Sequence, residues 1–349
     1  MASYTQFSDN DTISSIDRVF SSAWSGNTND LLINHFSSSA QYKTSAATAS
    51  GAFYMEVYNK NPDSDGTAEV QYSIAYGSLT GKGGLDFNDD SGASGISSTK
   101  AIYSQYKTLV FGGDENSKFN FNGHTPDDIF IININRARYK NALRLGNVNI
   151  TLTGSGEAGS QAILQLTDDS VTTSGSAAAI RAGVGREFNL VSGSNGIRLG
   201  ANNTYVTNSG SYGFIYPDAG FIILNPDALD HSIKLGLNTG EDEEGRNPEK
   251  LINRFKSGSN FIIDSQEDIA SKYYWIRVMN KDFNYTTNNS FTSKDGTLSF
   301  DSMIDNPQTY ITTVGLYNNN QDLLAVAKLS QPLPKNFTKE SLIKVKLDY

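Results

Sequence analysis

The sequence predicts a mainly β, multidomain protein of antiparallel sheets or β-sandwiches with a few short helices. Three observations lead there. Tyr and Phe number 18 each against 4 Met, and aromatic side chains suit a pleated, half-buried surface. Gly, Ser, Asn, Thr and Asp crowd the chain, which favours many turns over long helices. Apolar and polar residues alternate along several short runs that turn residues bound.

At 349 residues the chain has room for two or three domains. Composition shifts suggest four segments: a polar arm at 1–50, a β-rich domain with one helix at 51–153, a Gly/Ser/Asn-rich β insertion at 154–270, and a C-terminal antiparallel β-domain at 271–349. In the arm, Ile13, Ile16, Val19 and Phe20 stand near helical spacing and predict an amphipathic piece over 13–24. Such an arm either orders against a partner or packs on its own domain.

The elements follow in order. Phe53, Met55 and Val57 alternate with polar and aromatic neighbours, NPDSDG turns the chain, and Val70, Tyr72, Ile74 and Tyr76 alternate on the return strand. Residues 97–111 predict a helix with an apolar face of Ile102, Tyr106, Leu109 and Val110, stopped at Gly112. DIFIININ at 128–135 predicts a buried strand, a basic turn spans 136–144, and 148–152 is another strand. The stretch 154–213 is dense in small residues, with short apolar pieces at 162–166 and 188–191; long structureless loops are uncommon inside compact domains, so it reads as a separate small domain or a projection. A hairpin at 213–224 turns at Pro217–Gly220. Asn225 followed by Pro226 is a helix start. A short helix at 248–255 and a short strand at 260–264 come next, then the terminal block: KYYWIRVM at 272–279, the hairpin YITTVGLYNNNQDLLAVAKL at 310–329, and LIKVKL at 342–347.

Charge and cysteine content bound the function. A net charge of −9 repels phosphate backbones, so no nucleic-acid partner is expected. No apolar run approaches the ~20 residues of a membrane helix, and the N-terminal residues lack the pattern of a secretory signal. With Cys 0 there are no disulfides and no thiolate metal sites.

Gly154, Gly156 and Gly159 fit G-x-G-x-x-G after a strand, but a dinucleotide site needs a following helix and an acidic residue ~20 positions on. Here the next apolar run is only 161–166, and Asp168 and Asp169 come too soon. DFNDDSG at 86–92 is similar to a calcium loop, with the glycine one place late and no closing Glu. The acidic run at 241–244 reads as surface charge. His35, His124 and His231 are widely spaced and select no triad. Tyr273, Tyr274 and Trp275 offer either a sugar-stacking surface or core packing, and alternation sends half of such a run inward. Arg136, Arg138, Lys140 and Arg144 either engage an acidic partner surface or form a solvated turn. No catalytic, cofactor-binding or metal-binding residue is assigned, and no enzymatic activity is expected.

Several segments taken together carry a resemblance. AIYSQYKTLV at 101–110, DIFIININRAR at 128–138, YGFIYPDAGFIILNPDALD at 212–230, FNYTTNN at 283–289 and the stretch 306–333 resemble a virion structural protein family of large contractile-tailed phages (myoviruses), especially those of marine cyanobacteria and related hosts. The resemblance covers most of 101–349. It implies a non-enzymatic particle component of the tail or baseplate, assembled in the host cytoplasm, whose partners are other virion proteins and copies of itself; it carries over no site residue. The residues themselves fit a repeated subunit whose strand edges a neighbour covers. Residues 1–50 and the strand at 341–349 are the expected assembly surfaces. The alternatives are a receptor-binding or tail-fibre module recognising host glycan, and a capsid or neck decoration protein.

Overall fold

The computed structural model describes residues 5–25, 35–38, 54–82, 98–114, 116–156, 159–199, 211–237, 247–258, 260–286 and 288–349. In chain order the elements are β1 (Thr12–Ser22), β2 (His35–Ser38), β3 (Met55–Tyr58), β4 (Val70–Ser78), α1 (Ser98–Phe111), β5 (Asp128–Ile134), β6 (Ala142–Leu143), β7 (Asn149–Ser155), β8 (Gln161–Asp168), β9 (Ala179–Arg181), β10 (Gly185–Ser194), β11 (Ile197–Arg198), β12 (Gly213–Tyr216) and β13 (Phe221–Leu224). They continue as α2 (Pro226–Ile233), α3 (Asn247–Gly258), β14 (Asn260–Ile262), β15 (Asp264–Val278), α4 (Ser302–Asp305), β16 (Thr309–Tyr317), β17 (Leu323–Lys335) and β18 (Ser341–Asp348). The protein is mainly β, with antiparallel sheets and four short helices.

The chain forms two compact units: Val19–Glu267, and Met1–Arg18 with Asp268–Tyr349. The chain passes between them within β1 and within β15. This division differs from the four segments expected. Residues 154–213 do not stand apart: β8 and β10 pair with each other, and β10 pairs with β12, inside one 12-stranded sheet of order β14-β7-β8-β10-β12-β13-β5-β4-β3-β2, with β9 and β11 attached to β10. The predicted helix over 13–24 is also corrected. The segment is strand β1, which belongs to the sheet β1-β15-β18; its β-branched Ile and Val residues suit an extended chain.

In the larger unit the central strands β5, β12 and β13 are buried on both sides, as strands covered on two faces must be. Side-chain alternation deals their residues to two cores. Phe130, Ile132, Ile134, Ile215, Ile222 and Leu224 join the core that Leu229, Leu251 and Phe255 of α2 and α3 help fill. Ile129, Ile131, Phe214, Tyr216, Phe221 and Ile223 face the other core, with Tyr103 and Val110 of α1. Each such large side chain contributes ~1.5–3 kcal/mol on burial. Asn225 starts α2 by accepting from the Asp227 and Ala228 N–H groups, with Pro226 at the first helical position.

The smaller unit is a two-layer β structure. One layer pairs β15 with β18 in an unbroken antiparallel register, Ser271 opposite Asp348 through Val278 opposite Ser341. The other is the predicted hairpin β16–β17, whose second strand runs on to Lys335. Their facing sides supply the core: Ile343 and Val345 of β18, Tyr274 and Ile276 of β15, and Val314, Leu316, Ala325 and Ala327 of the hairpin. Among the described residues no helix is long and apolar enough to cross a membrane.

Candidate functional site

Most residues singled out for chemistry are occupied in holding the fold. Arg136 donates to the Tyr139 carbonyl (2.6 Å) and lies over the Tyr139 ring. Arg138 donates to the Ser25 hydroxyl and reaches Glu69 Oε2 at 2.9 Å. Half-buried Asp264 holds Arg144 at 3.0 Å, and the Arg144 guanidinium also stacks on the Phe20 ring at 4.1 Å. Three of the four cations of the basic turn are thus tied to groups of the same unit, which favours the structural reading of that turn. The loop 86–92, the run 241–244 and the centre of the glycine motif at 157–158 lie outside the described residues, as does half of 1–50.

His124 Nε2 sits 2.8 Å from Asp227 Oδ2. Among the described residues no serine or threonine hydroxyl is bonded to that ring. His231 is exposed on α2. No group of three or more His, Asp or Glu with metal-holding geometry occurs among the described residues. The buried acids sequence reasoning passed over are each clamped by donors. The fully buried Asp168 accepts from Gly146 N–H at 3.0 and 2.9 Å and from the Ser170 N–H at 3.1 Å and hydroxyl. Burial pushes the Asp169 carboxyl up, against the Asn189 donors at 2.8 and 3.1 Å that favour its charge.

The smaller unit presents a different kind of site, an exposed apolar surface. The inner positions of β16–β17 alternate with outward ones; Tyr317 (45% exposed) with its cross-strand partner Leu323 (53%), and Val326 (57%) opposite Gly315, face outward, while Leu324 (68%) is the extra residue at the register shift between them. Tyr317, Leu323 and Val326 gather around Gly315: a Cβ built there would meet the Tyr317 ring at 2.9 Å and Leu323 Cδ1 at 3.3 Å, and Val326 is its cross-strand partner. On the opposite layer, β18 has no second strand partner among the described residues. Its exposed face alternates Leu342, Lys344 and Lys346 with buried Ile343 and Val345. The three aromatics of β15 divide as alternation requires: Tyr274 joins the core, whereas the Lys344 ammonium lies 4.2 Å from the Tyr273 ring centre and 5.3 Å from that of Trp275.

No family model, no curated protein and no solved structure matches this chain.

Proposed function

We propose that the chain is a structural component of a phage virion, placed in the tail or baseplate, which holds the assembly together through protein–protein contacts with other virion proteins and with its own copies. The observation that carries this reading is the exposed apolar group on the outer face of the β16–β17 hairpin, Tyr317, Leu323 and Val326, with exposed Leu324 at the register shift beside them. The open edge of β18 supports it, since an unpaired strand edge is a template for a neighbour's strand. The resemblance to myovirus particle proteins supplies the setting. A glycan-binding fibre tip is the weaker reading, because Lys344 already stands over the Tyr273 and Trp275 rings on which a sugar would stack.

Peptide mass spectrometry of gradient-purified particles from the virus encoding the chain tests this. Peptides from both units are expected in a fixed ratio to the other tail proteins, and their absence from the particles would overturn the proposal. Leu324→Asp with Val326→Asp is expected to leave the circular dichroism of the isolated chain unchanged. Particles carrying that variant are expected to assemble at least tenfold less well, as loss of a desolvated apolar anchor of ~1.4 kcal/mol or more implies.

A further inference from the structure

We propose that Lys335 and Asn284 react to form an intramolecular amide bond between the lysine ε-nitrogen and the asparagine side-chain carbon. Lys335 ends β17 and is 1% exposed, among the most deeply buried large side chains of the protein. A lysine is almost never enclosed without an opposite charge in contact, yet here the two hydrogen-bonded partners of Nζ are both neutral. They are Asn284 Oδ1 at 2.7 Å and the Asn280 carbonyl at 3.0 Å. The carboxamide carbon is therefore one carbonyl bond beyond an oxygen already in contact with the amine.

The acceptor is also oriented. Asn284 Nδ2 donates to the same Asn280 carbonyl at 2.7 Å, which leaves the side-chain oxygen to meet Lys335 Nζ. Phe283, the residue before, has φ +54°, a conformation costly for a bulky side chain. The strain sits next to the residue it presents. Asp282 closes the turn, with its Oδ2 accepting from Met279 N–H at 3.0 Å.

Burial holds the Lys335 ammonium below its ordinary pKa, opposed by the negative charge of Asp282. A larger share of the amine is thereby neutral and nucleophilic. The step balances without an oxidant or co-reactant. The neutral ε-amine attacks Cγ of Asn284, a C–N bond forms to Nζ, the bond from Cγ to Nδ2 breaks, and the proton lost by Nζ goes to the departing nitrogen, which leaves as ammonia. Proximity of this order supplies much of what an amide exchange lacks in water. The product ties the loop after β15 to the end of the hairpin with a covalent bond, in a chain that has no cysteine to make one. This inference does not depend on the virion reading.

Intact mass and peptide mapping of the purified full chain test it. The expected result is a protein lighter than its sequence by one ammonia, with a branched peptide joining the Lys335 and Asn284 segments. Lys335→Arg keeps the charge and Asn284→Ala removes the acceptor; each is expected to restore the full mass and the linear peptides. The wild-type mass decides the matter even if a variant fails to fold. A wild-type chain at full sequence mass after prolonged incubation, with both linear peptides recovered, would overturn the inference.

Discussion

Glu187 shows how single residues hold the larger unit together. It lies on β10 and is 4% exposed. Arg181 of β9 meets it with two bonds, Nε to Oε2 at 2.9 Å and Nη2 to Oε1 at 3.1 Å, and Tyr216 of β12 donates its hydroxyl to Oε2 at 2.8 Å. The bond to Glu187 raises the Arg181 pKa, and burial, followed by the Glu187 charge, raises that of Tyr216. Three strands thus share one carboxylate. Truncating Glu187 takes charge-assisted hydrogen bonds from Arg181, which is itself partly exposed to solvent. Glu187→Ala should therefore lower stability by roughly 1.5–3 kcal/mol, whereas Tyr216→Phe, which removes one hydrogen bond, should cost about 1 kcal/mol. Urea unfolding of the two variants measures both. Equal losses would mean that packing, not the charge, sets the cost.

At the scale of elements, the clearest prediction concerns α2. Asn225 is fully buried; its side-chain oxygen caps the helix while Nδ2 donates to the Ser211 carbonyl at 2.8 Å. Asn225→Ala should cost about 2 kcal/mol, the upper end of the range for caps, because a buried acceptor loses its donor as well. A loss within a few tenths of a kcal/mol of zero in thermal or urea unfolding would show that the cap is not needed. This helix start was legible because Asn-Pro is a local signal. So were the hairpins β3–β4, β12–β13 and β16–β17, where period-2 alternation meets recognisable turn residues. The misread segments had signals that depend on distant partners. In β1, Ile13, Ile16, Val19 and Phe20 match a helical spacing by chance because both faces of the strand expose apolar groups. In 154–213, glycine looked like loop composition. Gly213 is instead required by a close approach, since a Cβ there would run into the Ile223 carbonyl of the paired strand. Glycine for packing and glycine for turning are the same letter. The hairpin β16–β17 was legible as such, but only the structure shows which of its sides is covered and that Leu323 and Val326 face outward. The approach of Lys335 to Asn284 has no local signature at all, because strand and loop positions far apart in sequence create it.

At the scale of the whole molecule, the most general consequence of the composition is a sensitivity to alkali. Burial raises the phenols of Tyr72 and Tyr76 far above the ordinary value and pushes those of Tyr103 and Tyr106 up to about 12. Tyr216 moves in the same direction. All five belong to the larger unit. A group whose pKa is higher in the folded than in the unfolded chain contributes its stabilisation fully below the unfolded value, about 10 for tyrosine, and loses it as pH rises through the folded value. Above pH ~10 the unfolded chain releases these protons while the folded chain keeps them. Each further pH unit then costs on the order of 1.4 kcal/mol per buried tyrosine until its folded pKa is reached. Five such groups acting together exhaust an ordinary stability of ~5–15 kcal/mol within about one to two pH units. The expected outcome is a cooperative alkaline unfolding between about pH 11 and 12, in which a step in tyrosinate absorbance coincides with the loss of near-ultraviolet circular dichroism. Tyr72→Phe and Tyr76→Phe should each move that midpoint upward, because each removes one proton release from the unfolding reaction. Ionisation of these phenols with the dichroism intact would mean that the two cores open to solvent without unfolding, and that packing across the central strands β5, β12 and β13 is looser than their burial implies.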